Sequence, residues 1–243
     1  MWTTAQKRVL IDCLADSPTA LICNAYALIG SHSPCTNWSL KNLTPEFPAM
    51  IGEAITIKLD CSSPDSPHDN AGSDLWNKMV EQIEASELPS VVVIESIGLY
   101  ENGAVLGDGM AKTMLVAGAA GCVTNGAVRD LADVKKAGLK TFAGGCVVNH
   151  TSLRWSGLGE PVKIAGLTIK TGDLLHGDGD GLIILPENGW DRVVLACRLQ
   201  LSYEKAAHVV LRRTDLAVSE RDRLIKGLFK KYRDMLTTET DDY

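Results

Sequence analysis

The charged side chains between residues 107 and 133 offer more chemistry than any other part of the sequence. Asp108 follows Gly107, and an adjacent pair, Arg129 and Asp130, comes one predicted helix and one predicted strand later. Asp130 has the hard carboxylate oxygens that Mg²⁺ and Mn²⁺ prefer. Arg129 has a planar guanidinium that can donate two hydrogen bonds to a carboxylate. These residue types would suit a 2-oxo acid bound to a divalent cation.

Glycines flank Asp108 where a helix is predicted to begin. Gly107 and Gly109 let the backbone approach a ligand closely, and the free N–H groups of a helix start favour an anion. The stretch is not a dinucleotide-binding fingerprint, because Lys112 stands where the third glycine belongs, and it is not a Walker loop. The amides of residues 107–110 are therefore candidates for binding an anionic oxygen.

A purely structural interpretation of these residues stays open at this point. Asp130 is a plausible N-cap, and Asp133 at the third helical position would favour the helix dipole. Arg129 could then pair with a surface carboxylate, which contributes little stability. Residue spacing alone does not decide between the two interpretations.

The elements around these residues predict an α/β domain. Strands are predicted at 51–59, 91–94, 121–124, 141–143 and 182–185, and helices at 4–15, 19–29, 73–87, 110–117 and 131–137. Ligands of open α/β sheets bind at the carboxyl ends of the strands, so we expect Asp108, Arg129 and Asp130 at one sheet edge. A hairpin at 162–169, turning at Ala165-Gly166, indicates that the sheet is mixed.

The remaining segments are predicted to be loops and terminal helices. Ser73 is the expected N-cap of its helix, and residues 61–72 form a long loop of the kind that often carries function. The pattern after Glu187 is helical. We expect a single domain over residues 1–243, with a core of about 17–210 and a C-terminal helical extension of about 211–236.

Composition excludes several classes of protein. The 243 residues are 45% hydrophobic and 22% charged, as in ordinary globular proteins. A net charge of −6 disfavours a nucleic-acid binder. No apolar run reaches the roughly 18–20 residues of a membrane helix, and no signal peptide is evident. The seven cysteines contain no CxxC pair, so we expect reduced, mostly core thiols in a cytoplasmic protein.

Three other features offer weaker alternatives. Cys146 and His150 could form a nucleophilic pair, although no third group to orient them is evident. The Asp-Gly-Asp-Gly stretch at 178–181 hints at a calcium loop but is more typical of a tight turn, with His176 as a turn residue. The tryptophans, including Trp76 and Trp155, are scattered and indicate no stacking platform for nucleic acid.

The segment from Gly107 to Asp133 resembles the RraA-like family. Aldolase members of that family carry an Asp, twenty intervening residues, an Arg-Asp pair and often an acidic residue three positions later. Asp108, Arg129, Asp130 and Asp133 match this pattern in full. The family includes class II pyruvate aldolases acting on 4-hydroxy-4-methyl-2-oxoglutarate and 4-carboxy-4-hydroxy-2-oxoadipate.

Two further segments extend the similarity. The stretch from Gly172 to Pro186 resembles the family's later strand-turn-strand signature, and Asp69-Asn70-Ala71 resembles its Asp-Asn loop. Together the similarity covers about residues 17–210. It implies an α/β fold of the swivelling β/β/α type, with a mixed sheet, helical N- and C-terminal extensions, and assembly as trimers or hexamers.

The resemblance also implies roles for individual residues. Asp130 would bind Mg²⁺ or Mn²⁺, and Asp108 would hold a water on the metal. The amides from Gly107 to Met110 would stabilise the enolate oxygen of the substrate. Arg129 would bind the keto oxygen or carboxylate of the 2-oxo acid. The implied reactions are retro-aldol cleavage, which releases pyruvate, and oxaloacetate decarboxylation.

Other implied site residues lie farther along the chain. A glutamate from the C-terminal helix of a neighbouring subunit would complete the metal site. Glu204 lies in the right region, and Glu187 and Glu220 remain alternatives. Asn125 and Asp133 would support the site.

The same resemblance leaves other functions open. The runner-up is a non-catalytic regulator that binds an RNA-degrading enzyme; Asp133 favours the aldolases, because the regulators typically lack that acidic residue. A member repurposed for another lyase step is a further alternative, since Asn24 and residues 149–155 depart from the family pattern. A menaquinone methyltransferase is rejected, because no glycine-rich methyl-donor loop is present.

Overall fold

The computed structural model describes residues 2–61, 71–98, 103–150 and 152–238. The chain forms two compact units. Among the described residues, the sheet unit contains those of Trp2–Thr19 and Pro34–Leu185, and the helical unit contains Ala20–Ser33 and those from Pro186 to residue 238. Asp69 and Asn70 of the predicted Asp-Asn loop lie outside the described residues. The expectation of a single domain over 1–243 stays a prediction.

Helices and strands lie close to where the apolar periodicity places them. The helices are α1 Thr4–Leu14, α2 Thr19–Leu28, α3 Ser73–Glu84, α4 Asp108–Ala117, α5 Leu131–Ala137, α6 Trp190–Leu211 and α7 Val218–Thr238. The longer strands are β2 Met50–Asp60, β3 Ser90–Ile97, β4 Gly103–Leu106, β5 Ala119–Thr124, β7 Lys140–Ala143, β13 Leu174–Asp178 and β14 Gly181–Ile184. The shorter strands are β1 Lys41–Asn42, β6 Ala127–Val128, β8 Gly145–Cys146, β9 Asn149–His150, β10 Arg154–Ser156, β11 Val162–Ile164 and β12 Leu167–Ile169.

One mixed sheet organises the sheet unit. Its strands run in the order β1-β7-β5-β3-β2-β13-β14, and β10 also pairs with β2. The four central strands β2, β3, β5 and β7 are parallel to one another, whereas β1, β10, β13 and β14 pair antiparallel. The predicted mixed α/β fold is therefore confirmed.

Both faces of this sheet are covered. Val92 and Ile94 of β3 point into a core shared with α3, α4 and α5. Val91 and Val93 point to the opposite face and pack with the strands β11 and β12. Burial of both faces explains why this strand is an unbroken apolar run. The unit has three layers, with the β11–β12 pair on one side, the sheet in the middle and helices on the other side.

The hairpin at 162–169 is present, but it does not make the sheet mixed as predicted. β11 and β12 form a separate two-stranded sheet. Each strand has one apolar side, and Val162 and Ile164 are buried while Lys163 is exposed. This apolar side packs flat against the main sheet instead of extending its edge. The main sheet is mixed because of β1, β10, β13 and β14.

The start of α3 also differs from prediction. Gly72, and not Ser73, occupies the N-cap position, in a left-handed conformation with φ 74°. Trp155 N–H donates to the Ala71 carbonyl at 2.9 Å, so β10 passes close to this helix start. A Cβ at Gly72 would overlap the Trp155 carbonyl oxygen. Close approach of the backbone, which a single residue type cannot reveal, determines this cap.

The helical unit is built around the long helices α6 and α7. Tyr203 of α6 makes edge-to-face contacts with Phe229 and Tyr232 of α7, with ring centroids 5.5 and 6.3 Å apart. Tyr26 of α2 is fully buried and donates to the Pro186 carbonyl. Within the described residues, no helix is long and apolar enough to cross a membrane.

Candidate active site

A small parallel sheet positions the predicted site residues. Its strand order is β8-β6-β4-β9. The strands β4 and β6 are paired in parallel, with Leu106 opposite Val128, and Arg129 N–H donates to the Leu106 carbonyl at 2.9 Å. Asp108 follows β4 and the Arg129-Asp130 pair follows β6, so these residues meet at one edge. That edge belongs to the small sheet, and not to the main sheet as the sequence suggested.

Asp130 occupies the N-cap position of α5 without acting as a cap. Its backbone is left-handed, with φ 55° and ψ 34°, and its side chain makes no cap hydrogen bond. A positive φ is uncommon for a residue other than glycine and costs free energy. The predicted N-cap position of Asp130 is therefore confirmed, but its carboxylate does not cap the helix.

The carboxylate of Asp130 lies beside Arg129 and Gly107. Arg129 Nε is 3.3 Å from Asp130 Oδ2, and the two side chains are 38% and 41% exposed. A Cβ built on Gly107 would lie 3.4 Å from Arg129 Nε and 3.5 Å from Asp130 Oδ2. These are ordinary van der Waals distances, so Gly107 lies directly beside both charged groups.

Asp108 lies in the first turn of α4 and is held by a neighbouring lysine. Lys112 Nζ donates to Asp108 Oδ2 at 2.7 Å. This hydrogen bond is the main reason that the pKa of Asp108 is lowered, and the Arg129 charge lowers it further. The same contact raises the pKa of Lys112. Asp108 is therefore a carboxylate at neutral pH.

Arg129 and Asp108 line a cavity of about 270 Å³. The backbone from Gly107 to Met110, at the start of α4, forms one wall. The first intrahelical hydrogen bond runs from Ala111 N–H to the Gly107 carbonyl, so the preceding amides have no partner of that kind. The cavity combines a guanidinium, a carboxylate and helix-start amides, which is a suitable set for an anionic substrate.

His150 and Leu153 also line this cavity, and the sequence did not assign them to it. His150 lies on β9, which pairs with β4 on the side opposite β6. Cys146 lies on β8 at the far side of the small sheet, with β6 and β4 between them. Adjacent strands are about 4.8 Å apart, so the structure does not support the weaker alternative of a Cys146–His150 nucleophilic pair.

The predicted supporting residues Asn125 and Asp133 lie in two different places, both outside the cavity that contains Arg129. Asn125 accepts from Ser96 N–H at 2.7 Å and donates to the Ser96 carbonyl at 3.1 Å, which ties β5 to β3. It lines a separate cavity of about 430 Å³. Asp133 lies in the first turn of α5 and pairs with Lys136 at 2.8 Å. Neither residue lines the cavity that contains Arg129.

Glu204 belongs to the helical unit, in the middle of α6. Its Oε1 accepts from Gln200 Nε2 at 2.9 Å. Within the described ranges, no group of three or more His, Cys, Asp or Glu side chains is arranged to hold a metal ion. The metal ligands implied by the resemblance stay predictions.

A second polar cluster, far along the chain from these residues, is centred on a buried histidine. His176 lies on β13 and is completely buried, so its prediction as a turn residue is wrong. Its Nδ1 is 2.9 Å from Thr19 Oγ1 and its Nε2 is 3.3 Å from the Leu14 carbonyl. Burial lowers the pKa of His176.

Asp178 completes this cluster, which we call the buried histidine cluster (Leu14, Thr19, His176 and Asp178). Its carboxylate accepts from Thr19 N–H at 2.8 Å and from Asp180 N–H at 2.9 Å. Burial alone would raise the pKa of Asp178, but these hydrogen bonds lower it on balance. Gly181 pairs directly with Asp178, which confirms the tight turn and leaves the calcium-loop alternative without support.

The cysteines are all free thiols. Cys61, Cys122 and Cys197 are buried as expected, and burial raises the pKa of the Cys122 and Cys197 thiols to about 12. The expectation of mostly core thiols is nevertheless wrong, because Cys23 is only partly buried and three others are exposed: Cys13, Cys35 and Cys146. Cys146 lies beside glycines at the edge strand β8, where little side-chain volume covers it.

Two of the tryptophans lie together, contrary to prediction. The rings of Trp76 and Trp155 are 5.0 Å apart at their centroids and tilted by 32°. Trp76 lies on α3 and Trp155 on β10, two elements that the close approach at Gly72 brings into contact. The apolar spacing of α3 was the only available signal, and it does not identify the partner ring.

Comparison with known proteins decides the family. A family model named RraA-like, described as Aldolase/RraA, matches residues 19–184, which is more than half of the chain. The chain belongs to this family. The match contains the small sheet, the Arg129-Asp130 pair and the buried His176.

Several curated relatives of this RraA-like protein are named as aldolases. A putative 4-hydroxy-4-methyl-2-oxoglutarate aldolase of Halalkalibacterium halodurans is 31% identical over 147 residues, covering 58% of this chain and 64% of that relative. The chain thus spans just under two thirds of that relative's length.

Solved structures share the fold at low identity. An uncharacterized protein from Pseudomonas syringae has a TM-score of 0.67 and 22% identity, covering 89% of this chain and 93% of its own. Streptomyces coelicolor RraAS2, described as an unusual member of the RNase ES inhibitor RraA family, has a TM-score of 0.65 and 21% identity, covering 82% and 96%.

Proposed function

We propose that this RraA-like protein is a carbon–carbon lyase that acts on 2-oxo acids and depends on a divalent cation. Its reactions would be retro-aldol cleavage that releases pyruvate, and decarboxylation of oxaloacetate. Support comes from the family, from a relative named as an aldolase at 31% identity, and from the geometry at Asp130.

The backbone of Asp130 carries the proposal. A capping aspartate would have an extended backbone and would accept a hydrogen bond from its own helix. Asp130 instead has φ 55°, and its carboxylate lies beside the Arg129 side chain and Gly107. Strained backbone concentrates at functional sites, where the surrounding structure maintains it for a purpose other than stability.

The donor groups at this edge fit Mg²⁺ or Mn²⁺. Both cations prefer oxygen ligands, and Mg²⁺ is commonly bound by one or two carboxylates while it keeps several waters. Asp130 would be the direct ligand and Asp108 would act through water. When bound, the cation would supply a Lewis acid that draws electrons from the ketone of the substrate.

The protein's own groups would bind and orient the substrate. Arg129 would donate to the carboxylate or keto oxygen of the 2-oxo acid, since its guanidinium lines the 270 Å³ cavity. The amides from Gly107 to Met110 would donate to the oxygen on which negative charge develops. Lys112 would keep Asp108 deprotonated and in place.

The complete site would require a second copy of the chain. We propose that Glu204 of a neighbouring copy contributes a carboxylate in a trimer or hexamer. Glu187 and Glu220 are the alternatives for this role.

Replacement of Asp130 tests the proposal. Purified protein with Mg²⁺ or Mn²⁺ is assayed for pyruvate release from oxaloacetate and from 4-hydroxy-4-methyl-2-oxoglutarate, by coupling to lactate dehydrogenase. We expect Asp130→Asn to lower kcat/KM by at least about 100-fold, as loss of an electrostatic group in a catalytic site commonly does. Titration calorimetry with Mn²⁺ should show a parallel loss of metal binding.

A matched control is available at α3. Asp74 lies in the first turn of that helix and pairs with Lys78 at 3.2 Å, much as Asp108 pairs with Lys112. Asp74→Asn should leave both activities within about twofold, since exposed ion pairs of this kind contribute little. If the unmodified protein neither releases pyruvate nor binds Mn²⁺, the lyase proposal is rejected and the protein-binding regulator is favoured.

A further inference from the structure

We propose that a second cavity beside the candidate active site selects 2-oxo acids that carry an uncharged aromatic group on C4. We call it the aryl pocket; it is lined by Ser73, Trp76, Asn77, Gly109, Met110, Thr113, Leu153 and Trp155. This inference rests on the proposed lyase function and specifies its substrate class. A substrate of the type named for the aldolase relative has a second carboxylate at the corresponding end.

The aryl pocket adjoins the cavity that contains Arg129. It has a volume of about 290 Å³, near the lower end of the range for small-molecule sites. Gly109, Met110 and Leu153 line both cavities. A Cβ on Gly109 would have no atom within 4 Å, so this glycine faces open space where the two cavities meet. A ligand held by Arg129 could therefore extend into the aryl pocket.

The walls of the aryl pocket suit a flat apolar group. The Trp76 and Trp155 rings, 5.0 Å apart and tilted by 32°, form one wall, and Met110 and Leu153 provide aliphatic contacts. Aromatic rings pack favourably in offset or edge-to-face arrangements, and a methionine sulfur also packs well against a ring. A phenyl group would gain these contacts and lose little hydration.

The same walls would bind a carboxylate poorly. None of the described lining residues carries a charge. Lys78 of α3 and Lys112 of α4 are outside the lining, and each is paired with an aspartate of its own helix. Moving a carboxylate from water to walls that offer no cation is unfavourable. The polar groups present, on Ser73, Asn77 and Thr113, are neutral.

The reaction of such a substrate is a balanced cleavage. In 4-hydroxy-2-oxo-4-phenylbutanoate, the C3–C4 bond breaks and its electron pair goes to C3. The C4 hydroxyl loses its proton and becomes the carbonyl of benzaldehyde. A proton added at C3 then gives pyruvate. One substrate molecule yields one pyruvate and one benzaldehyde, and no oxidant or other co-reactant is consumed.

Substrate preference and its dependence on Trp76 test the proposal. Pyruvate release is measured for the phenyl substrate, for 4-hydroxy-4-methyl-2-oxoglutarate and for oxaloacetate, with the full chain and Mg²⁺. We expect the phenyl substrate to have the higher kcat/KM of the two aldols. Trp76→Ala should lower the ratio of kcat/KM for the phenyl substrate to that for oxaloacetate by about tenfold or more, mostly through KM.

Two further variants keep this test independent of folding defects. Asn77 is exposed, so Asn77→Lys adds a cation to the pocket rim without disturbing the core. It should shift preference toward the dicarboxylate by about threefold. Trp38 is 92% exposed and outside the pocket, so Trp38→Ala should change neither substrate preference nor thermal stability.

A binding measurement separates failure of this inference from failure of the lyase function. Titration calorimetry with 4-phenyl-2-oxobutanoate, which lacks the C4 hydroxyl and cannot be cleaved, is compared with 2-oxoglutarate. Tighter binding of the phenyl acid that Trp76→Ala weakens supports the aryl pocket, even where no substrate is turned over. Preference for the dicarboxylate, or a phenyl preference that Trp76→Ala leaves intact, overturns it. Absence of pyruvate from every substrate rejects the lyase proposal alone.

Discussion

Two polar clusters of the sheet unit each contain aspartate, and they differ in their exposure to solvent. In the buried histidine cluster, the His176 ring is fully enclosed and both of its nitrogens lie within hydrogen-bonding distance of protein oxygens. At the candidate site, the side chains of Asp108, Arg129 and Asp130 are all between 37% and 41% exposed. The first cluster satisfies its polar groups internally, whereas the second leaves charged groups available to a ligand.

Backbone conformation strengthens the contrast. His176 lies in a regular antiparallel strand pair, opposite Ile183. Asp130 and Ala165 are the described non-glycine residues with positive φ, and only Asp130 combines that conformation with a charge. Buried polar groups that are fully paired stabilise and specify a fold. Charged groups maintained in a costly conformation at a cavity edge point instead to ligand binding.

The largest expected effect on stability follows from His176→Ala. The variant loses two hydrogen bonds, leaves Thr19 Oγ1 and the Leu14 carbonyl buried without that partner, and opens a cavity. We expect a loss of about 3 kcal/mol in the free energy of unfolding, measured by urea denaturation. His32 is exposed, and His32→Ala should stay within about 0.5 kcal/mol. Pyruvate release per folded molecule should not fall.

The pH dependence of stability checks the same cluster. Burial lowers the pKa of His176 in the folded state, while the unfolded chain has the ordinary value near about 6.5. The unfolded state therefore binds more protons, and stability should fall as the pH drops below about 6.5. His176→Gln should flatten this slope. An unchanged slope would show that His176 is not the group responsible.

The sequence predicts regular elements better than it predicts either cluster. The bounds of α5 follow from apolar spacing and a terminal glycine, and the structure has the same helix. The apolar run at Val91 predicts a strand buried on both faces, which β3 confirms. These patterns are local, so one stretch of sequence contains the whole signal.

Features that depend on distant segments could not be predicted. Trp76 and Trp155 meet because β10 crosses the start of α3, and neither sequence neighbourhood contains that information. The strands β6, β8 and β9 have two residues each, too few for an alternating pattern. The Arg129-Asp130 pair was found by residue type and family resemblance, but the left-handed backbone of Asp130 was not.

A smaller effect should separate conformational strain from function. Asp130→Gly removes the cost of a positive φ and should raise the free energy of unfolding by about 0.5 kcal/mol, while pyruvate release is lost. Ala165→Gly, in the β11–β12 turn, should raise the free energy of unfolding by about 1 kcal/mol. This gain is larger than that of Asp130→Gly because alanine tolerates a positive φ less well than aspartate does. Thermal unfolding and the coupled pyruvate assay measure both quantities.

The matched pair gives a clear result either way. Activity retained in Asp130→Gly would show that the carboxylate is dispensable and would remove the basis of the lyase proposal. A loss of stability in this variant would show that Asp130 contributes a native interaction that outweighs the backbone cost. Ala165→Gly should leave pyruvate release unchanged in both cases.

The smallest expected effect concerns the ion pair at the candidate site. Lys112 lowers the pKa of Asp108 through their hydrogen bond, so Lys112→Met should raise that pKa toward its ordinary value of about 3.8. If Asp108 must be a carboxylate, the acid limb of kcat/KM should move to higher pH, with little change near pH 7. Lys78→Met removes the equivalent pair in α3 and should leave the profile unchanged. If the Lys112 variant leaves the acid limb unchanged, the charge of Asp108 does not limit the reaction. If the Lys78 variant moves the acid limb as well, the effect is not specific to Asp108.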